Sequence, residues 1–185
     1  SSAASDVYKR QSQSNGLFDQ ATKSALALAK SLASAGKDLP VVSTAGSCVG
    51  MLKHEAKHYL GIDDPVLEDV GVRSYDISEF LMERYDAGEL EFNFQPIEMQ
   101  MPYHQPCQVR SQGMGAPASD LLRLIPGLKV RDSNATCCGI AGTYGLKKEK
   151  YDVAQAVGKP LFDMIEETNE GLLSLIHISE PTRRT

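Results

Sequence analysis

Apolar residues first recur at helical spacing. Leu17, Ala21, Ala25, Leu28 and Leu32 fall on one face, and Gly36 follows where a helix C-cap belongs. Leu39-Pro40-Val41-Val42-Ser43 then reads as a short buried strand entered through its proline. The strand runs into Ala45-Gly46-Ser47-Cys48, which puts Cys48 at its C-terminal end. A helix is predicted from about Val49 to Leu60, closed by Gly61, and Pro65 suits the first position of the next one. Asp76-Ile77-Ser78-Glu79 has the form of a capping box. Behind it Ile77, Phe80, Leu81 and Tyr85 make one helical face, which Gly88 ends.

The stretch Glu91–Met101 is proline-punctuated and predicts an irregular connection, after which the pattern begins again. Tyr103-His104-Gln105-Pro106-Cys107 predicts a short strand with a second cysteine at its end. The loop GMGAPAS follows, then an amphipathic turn or two through Leu121, Leu122, Leu124 and Ile125. Leu128-Lys129-Val130 is a predicted strand leading to Cys137-Cys138-Gly139. The last helix carries Tyr151, Ala154, Val157, Leu161 and Ile165 on its apolar stripe, with a kink expected at Gly158-Lys159-Pro160. Alternating strands and helices predict an α/β fold with a largely parallel sheet. Ligands of such sheets gather beyond the carboxyl ends of the strands, where all four cysteines are placed by this reading.

Charge and composition narrow the function. The formal net charge is −5 without a Lys/Arg cluster, so no nucleic-acid surface is expected. No apolar run approaches the roughly 20 residues of a membrane span. Four cysteines are few for a disulfide scaffold, and direct pairing of Cys137 with Cys138 would be strained. A reduced compartment and a metal or redox use fit better. The ends read differently from the interior. Residues 1–11 (SSAASDVYKRQ) and 173–185 (beginning LSLIHISEPTR) resemble translated sequencing-library adapter, not native protein. The expected organisation is therefore a fragment: residues 12–100, the end of one repeat and a connection, and residues 101–172, most of a second repeat.

Thr136 to Gly145, TCCGIAGTYG, carries the densest chemistry. Two neighbouring thiolates repel one another unless a cation holds them, so a metal or an iron–sulfur cluster is the natural stabiliser. Gly139, Gly142 and Gly145 follow at every third position. Glycines let backbone N–H groups come close to an anion, and the helix that follows adds its positive end. The spacing is not G-x-G-x-x-G, so a dinucleotide site is a poor match. The alternative reading is a tight glycine turn with two buried thiols.

YHQPC together with TCCGIAGTYGLKKEKYDVAQAVGKPLF resembles the cysteine-rich CCG domain of iron–sulfur electron-transfer subunits. That family includes a heterodisulfide reductase subunit (the one designated B), the glycolate oxidase iron–sulfur subunit and lactate-utilisation proteins. IPGL, CCGIAGTYG, KKE and GKPLF are most similar to its members in anaerobic glycerol-3-phosphate dehydrogenases, where the subunit is designated C. The family's pattern is a cysteine, some thirty residues, CCG, and later a closing C-x-x-C, often in two repeats of a parallel-sheet α/β unit. The interval from Cys107 to Cys137 fits. The resemblance implies that Cys107, Cys137 and Cys138 ligate an iron–sulfur cluster of the 4Fe-4S type, completed by cysteines expected just past Leu172. Gly139 and Gly142 would shape that cofactor site. His104 would either hydrogen-bond a cluster sulfur or pack locally. Cys48 would be the closing cysteine of a first repeat, although Ala45 stands where its partner cysteine belongs. The implied partners are a flavoprotein dehydrogenase subunit carrying FAD and a membrane-anchoring or quinone-reducing subunit. The implied place is the cytoplasm, at most peripheral to the inner face of the membrane. Glycerol 3-phosphate is the first substrate choice, with glycolate and lactate open, and no substrate-oxidising site is expected in this fragment.

Two other classes compete. Cys137 and Cys138 could form a metal or thiol redox-sensing module. His54-Glu55-Ala56-Lys57-His58 matches H-E-x-x-H, with Asp64 placed as a third ligand of a zinc peptidase. Lys53 and Lys57 oppose a dication there. A plain helix end explains the same residues, with Gly61 as C-cap and Asp63 and Asp64 starting the next element.

Overall fold

A computed structural model describes residues 12–13, 16–142 and 144–168. Both segments read as adapter lie outside the described residues, and the C-x-x-C expected past Leu172 is not among the 185 residues of the sequence. The chain divides into two compact units between Phe80 and Leu81.

In the first unit, helix α1 spans Phe18–Ala35 and strand β1 spans Val41–Ser43. A continuous helical run follows: α2 (Gly46–Gly50), a π-helical turn (Met51–Glu55) and α3 (Ala56–His58). Helix α4 (Pro65–Val72) leads to strand β2 (Ser74–Asp76), and α5 begins at Ile77 and ends at Asp86. β1 and β2 run parallel, with Val41 opposite Ser74. The core is Ala25, Ala29, Met51, Leu52, Ala56, Ile62, Leu67 and Val70. Small residues on α1 let it lie close to the π-helical turn and α4. Leu28 and Leu32 pack at the rim of this core, as their spacing predicts, while Leu17 is exposed.

Local chemistry sets the boundaries. Asp64 caps α4 by accepting the Val66 N–H at 2.8 Å, with Pro65 at the first helical position. The capping box at α5 is present in both directions: Ser78 N–H donates to Asp76 Oδ1 at 2.9 Å, and Asp76 N–H donates to Glu79 Oε2 at 3.2 Å. Gly61, at φ +65°, turns the chain after α3, and the Ile62 N–H closes back on the Ala56 carbonyl at 3.1 Å. β1 differs from expectation in burial: Leu39 and Val42 are exposed. Among the described residues it pairs with β2 alone, so part of its apolar surface stays open.

In the second unit, strand β3 (Met99–Tyr103) is followed by α6 (Cys107–Arg110), α7 (Pro117–Arg123), strand β4 (Leu128–Asp132) and, after two 3-10 turns at Tyr144–Leu146 and Lys148–Lys150, helix α8 (Tyr151–Thr168). β3 and β4 are parallel and in register from Met99 opposite Leu128 to Tyr103 opposite Asp132. Mixed helices and parallel strand pairs agree with the α/β expectation. β3 lies four residues earlier than predicted. Met99 to Tyr103 lacks β-branched residues and contains Pro102, so it reads as loop, yet Pro102 is tolerated because, among the described residues, β4 alone pairs with this strand. The second unit contains the order strand, helix, a helix opened by proline, parallel strand, which also occurs within the first.

Candidate functional site

The parallel register determines what can meet. With Tyr103 opposite Asp132, the chain leaves β3 and β4 at the same end of the sheet. Cys107 lies four residues beyond Tyr103, and Cys137 five residues beyond Asp132. The two cysteine-bearing connections are therefore neighbours at the carboxyl edge, the usual place for ligands of parallel sheets. Cys107 is the exposed first residue of α6, preceded by buried Pro106 as N-cap. Cys137 and Cys138 are half-buried, and none of the four cysteines is in a disulfide. Cys48 belongs to the first unit, half-buried inside α2.

The adjacent thiols differ in environment. Cys137 Sγ accepts the Gly139 N–H at 3.3 Å. Cys138 packs with Ile165 against the apolar cluster of Ala135, Leu161 and Met164. Among the described residues no three His, Cys, Asp or Glu side chains are gathered tightly enough to hold a metal. The structure thus puts Cys137 beside Cys138 and Cys107 on the next connection, without drawing all three to one point.

Backbone packing fixes the turn. Gly139 has φ +88°, and a methyl group there would stand 2.1 Å from the Ala154 carbonyl oxygen of α8. Across the same seam, a methyl group at Gly158 would stand 2.7 Å from the Cys138 carbonyl oxygen. The glycines allow helix and turn to touch main chain to main chain. Ala141 at φ +44° and Gly142 at φ +68° continue the turn, with open space around Gly142. Gly145 N–H closes it on the Ile140 carbonyl at 2.9 Å.

This seam corrects the predicted face of α8. Tyr151 and Val157 are 56% and 45% exposed, while Ala154, Gly158, Leu161, Met164 and Thr168 are buried. The face against the turn takes small residues at 154 and 158, so the larger apolar residues beside them point outward. α8 runs on through Pro160 to Thr168.

His104 is 2% exposed, and its Nδ1 lies 3.2 Å from Ser133 Oγ. Ser133 Oγ also accepts the Ala135 N–H at 2.9 Å, and the Ser133 N–H donates to the Tyr103 carbonyl at 2.7 Å. The histidine thus packs locally, joining the end of β3 to the loop after β4. Arg110 Nη2 donates to Gln105 O at 3.3 Å and Ala135 O at 3.1 Å. Asp132 accepts from Ser119 Oγ at 2.7 Å and also pairs with Arg123. Sequence reasoning passed over Arg110 and Ser133; it set Ala154 on the apolar stripe of the last helix and Gly158 in a kink, without their contact with the cysteine turn. Only the position of Arg110 one turn after Cys107 hinted at a role.

The H-E-x-x-H residues form no such site. His54 and His58 are exposed, and Asp64 is occupied as a helix cap. Lys53 pairs with Glu79 at 2.7 Å and Lys57 with Glu68 at 3.0 Å. Glu68 accepts the Lys57 hydrogen bond and attracts its charge, which raises the lysine pKa above its usual value.

The donor set at the carboxyl edge suits a thiophilic inorganic centre: three thiols on adjacent connections, one sulfur already receiving a backbone N–H. No helix among the described residues is long and apolar enough to cross a membrane.

Comparison with known proteins agrees in sequence. The chain is 36% identical to the subunit designated C of the anaerobic glycerol-3-phosphate dehydrogenase of Escherichia coli over 161 residues, covering 86% of this chain and 40% of that relative. It is 32% identical to the subunit designated B of the CoM/CoB fumarate reductase of Methanothermobacter marburgensis, covering 70% of this chain and 24% of the relative. With lactate utilization protein A of Halalkalibacterium halodurans the identity is 32%, covering 58% of this chain and 45% of the relative. The chain thus spans less than half the length of each of these relatives. No solved structure matches it. The family model for the cysteine-rich CCG domain matches residues 101–178, the part of this chain that holds Cys107, Cys137 and Cys138.

Proposed function

We propose that this chain is part of the iron–sulfur subunit of an oxidoreductase complex, and that Cys107, Cys137 and Cys138 ligate a cluster of the 4Fe-4S type. The observation that carries the reading is the placement of three thiols on the two connections leaving one parallel strand pair at the same edge. A remaining ligand comes from outside the described residues. A bound cluster supplies reversible one-electron storage. The protein's own residues set its surroundings. The Gly139 N–H draws negative charge from Cys137 Sγ, which raises a potential. Leu161 and Met164 keep the Cys138 side dry. The Gly139–Gly158 seam holds the turn rigid against α8.

In this reading the subunit takes electrons from a flavoprotein dehydrogenase that carries FAD and passes them toward a quinone-reducing or membrane-anchoring partner. Oxidation of the organic substrate belongs to the flavin. Glycerol 3-phosphate is the favoured substrate, supported by similarity over most of this chain to the Escherichia coli dehydrogenase subunit. Lactate is the second choice, supported by the lactate utilization relative. The strand–helix–helix–strand order shared by the two units supports a repeat, with Cys48 in the first. The complex works at the inner face of the cell membrane, held there by its partner.

The test is anaerobic mixing of the full-length subunit with its flavoprotein partner. Glycerol 3-phosphate bleaches the visible cluster absorption if the reading is right. Bleaching by lactate alone shifts the substrate assignment. A metal-free or zinc-only protein, with a reversible Cys137–Cys138 thiol change, replaces the proposal with a redox-sensing module.

A further inference from the structure

We infer that Arg110 is a positioning residue that holds the Cys107 connection against the connection leading to Cys137 and Cys138. The inference rests on the cysteine site proposed above for its meaning, and on geometry alone for its first test. Cys107 opens a helix only four residues long, Cys107–Arg110. One isolated turn does not hold itself, because helix nucleation is unfavourable. Something tertiary must fix it. Val109 is buried and anchors one side of the turn. Arg110 reaches in the other direction. Its Nη2 donates to Gln105 O, two residues before Cys107, and to Ala135 O, two residues before Cys137.

The far end of this tie is stiff. Ala135 is buried in the cluster with Leu161 and Met164, and its N–H is held by Ser133 Oγ. The near end follows β3 directly, through buried His104 and Pro106. One guanidinium nitrogen therefore spans the gap between the two cysteine-bearing connections. A guanidinium has a planar fork of donors, whereas the ammonium of lysine is a single point of charge. Lysine should restore the charge and part of the contact, and alanine neither.

The first test needs no cofactor. In reduced full-length protein whose cysteines other than Cys107, Cys137 and Cys138 are replaced by serine, a short bifunctional maleimide is attached at Cys107. Closure onto Cys137 or Cys138 is then followed by peptide mass spectrometry. Arg110→Ala is expected to slow closure at least fivefold, with Arg110→Lys intermediate. Arg123→Ala, which loses the Asp120 and Asp132 pairs on a neighbouring surface, should close at the parental rate. A monofunctional maleimide corrects for thiol reactivity, and far-ultraviolet circular dichroism verifies folding of each variant. Closure of Arg110→Ala or, should that variant unfold, of Arg110→Lys at the parental rate overturns the inference. The second test loads the protein with iron and sulfide and measures cluster loss to a chelator. Arg110→Ala is expected to lose it at least tenfold faster, and equal rates argue against a positioning role. If the parent protein takes up no iron, the cluster reading fails, while the cross-linking result still decides the role of Arg110.

Discussion

Replacing Gly139 by alanine probes the seam that shapes the cysteine turn. Two penalties are separable. The first is conformational: at φ +88° a Cβ meets the neighbouring carbonyl oxygen, at a cost of roughly 1–2 kcal/mol. The second is steric: the new methyl group would stand 2.1 Å from the Ala154 carbonyl oxygen, which belongs to helix backbone and cannot rotate away. Overpacking of this kind costs about 1–3 kcal/mol. Together they remove about 2–5 kcal/mol, a large share of the 5–15 kcal/mol that stabilises a typical domain. Gly142→Ala supplies the internal control. Its φ is +68°, with no atom within 4 Å of the added methyl group, so only the first penalty of about 1–2 kcal/mol applies. The assay is urea unfolding of the metal-free chain followed by circular dichroism, comparing midpoints at constant slope. Gly139→Ala should lose about 1–3 kcal/mol more than Gly142→Ala. Equal losses, or a larger loss at Gly142, would refute the close contact between turn and helix.

Other substitutions probe other parts of the fold. Leu161 is 0% exposed, so Leu161→Ala should cost about 2–5 kcal/mol in the same assay, whereas Val157→Ala on the open face should stay within about 0.5 kcal/mol. Asp64→Ala should lose about 1 kcal/mol with the cap of α4, and Asp64→Asn should retain most of it. Lys57 should titrate above 10.5 in an NMR titration of its side chain, because Glu68 accepts its hydrogen bond, and Glu68→Gln should lower it. The sign follows: any stability from this exposed pair is complete below the unfolded lysine pKa and disappears as pH rises through the folded one.

Helix ends were legible because capping is local chemistry. Asp64-Pro65, the box from Asp76 to Glu79 and Gly61 act within a few residues of themselves, and each stands where the pattern placed it. β3 was misplaced because a parallel strand depends on a partner far along the chain. Nothing in Met99-Gln100-Met101-Pro102-Tyr103 reveals that Leu128–Asp132 will lie beside it. The face of α8 was rotated for a similar reason. Apolar size led to Tyr151 and Val157, but main-chain contact with the turn required Gly158 instead. Cys137, Cys138 and Gly139 were visible as a cluster of unusual residues, and adjacency alone brings them together. Arg110 and Ser133 were not, since their partners are backbone carbonyls and amides that a sequence does not display.

The most direct measurement is the iron and acid-labile sulfide content of the full-length protein, prepared without oxygen, beside Cys107→Ser, Cys137→Ser, Cys138→Ser and His58→Ala. A brown protein holding both elements is expected, with the content sharply reduced in each cysteine variant and unchanged in the histidine variant. A colourless protein, or cysteine variants that keep their iron, would contradict it.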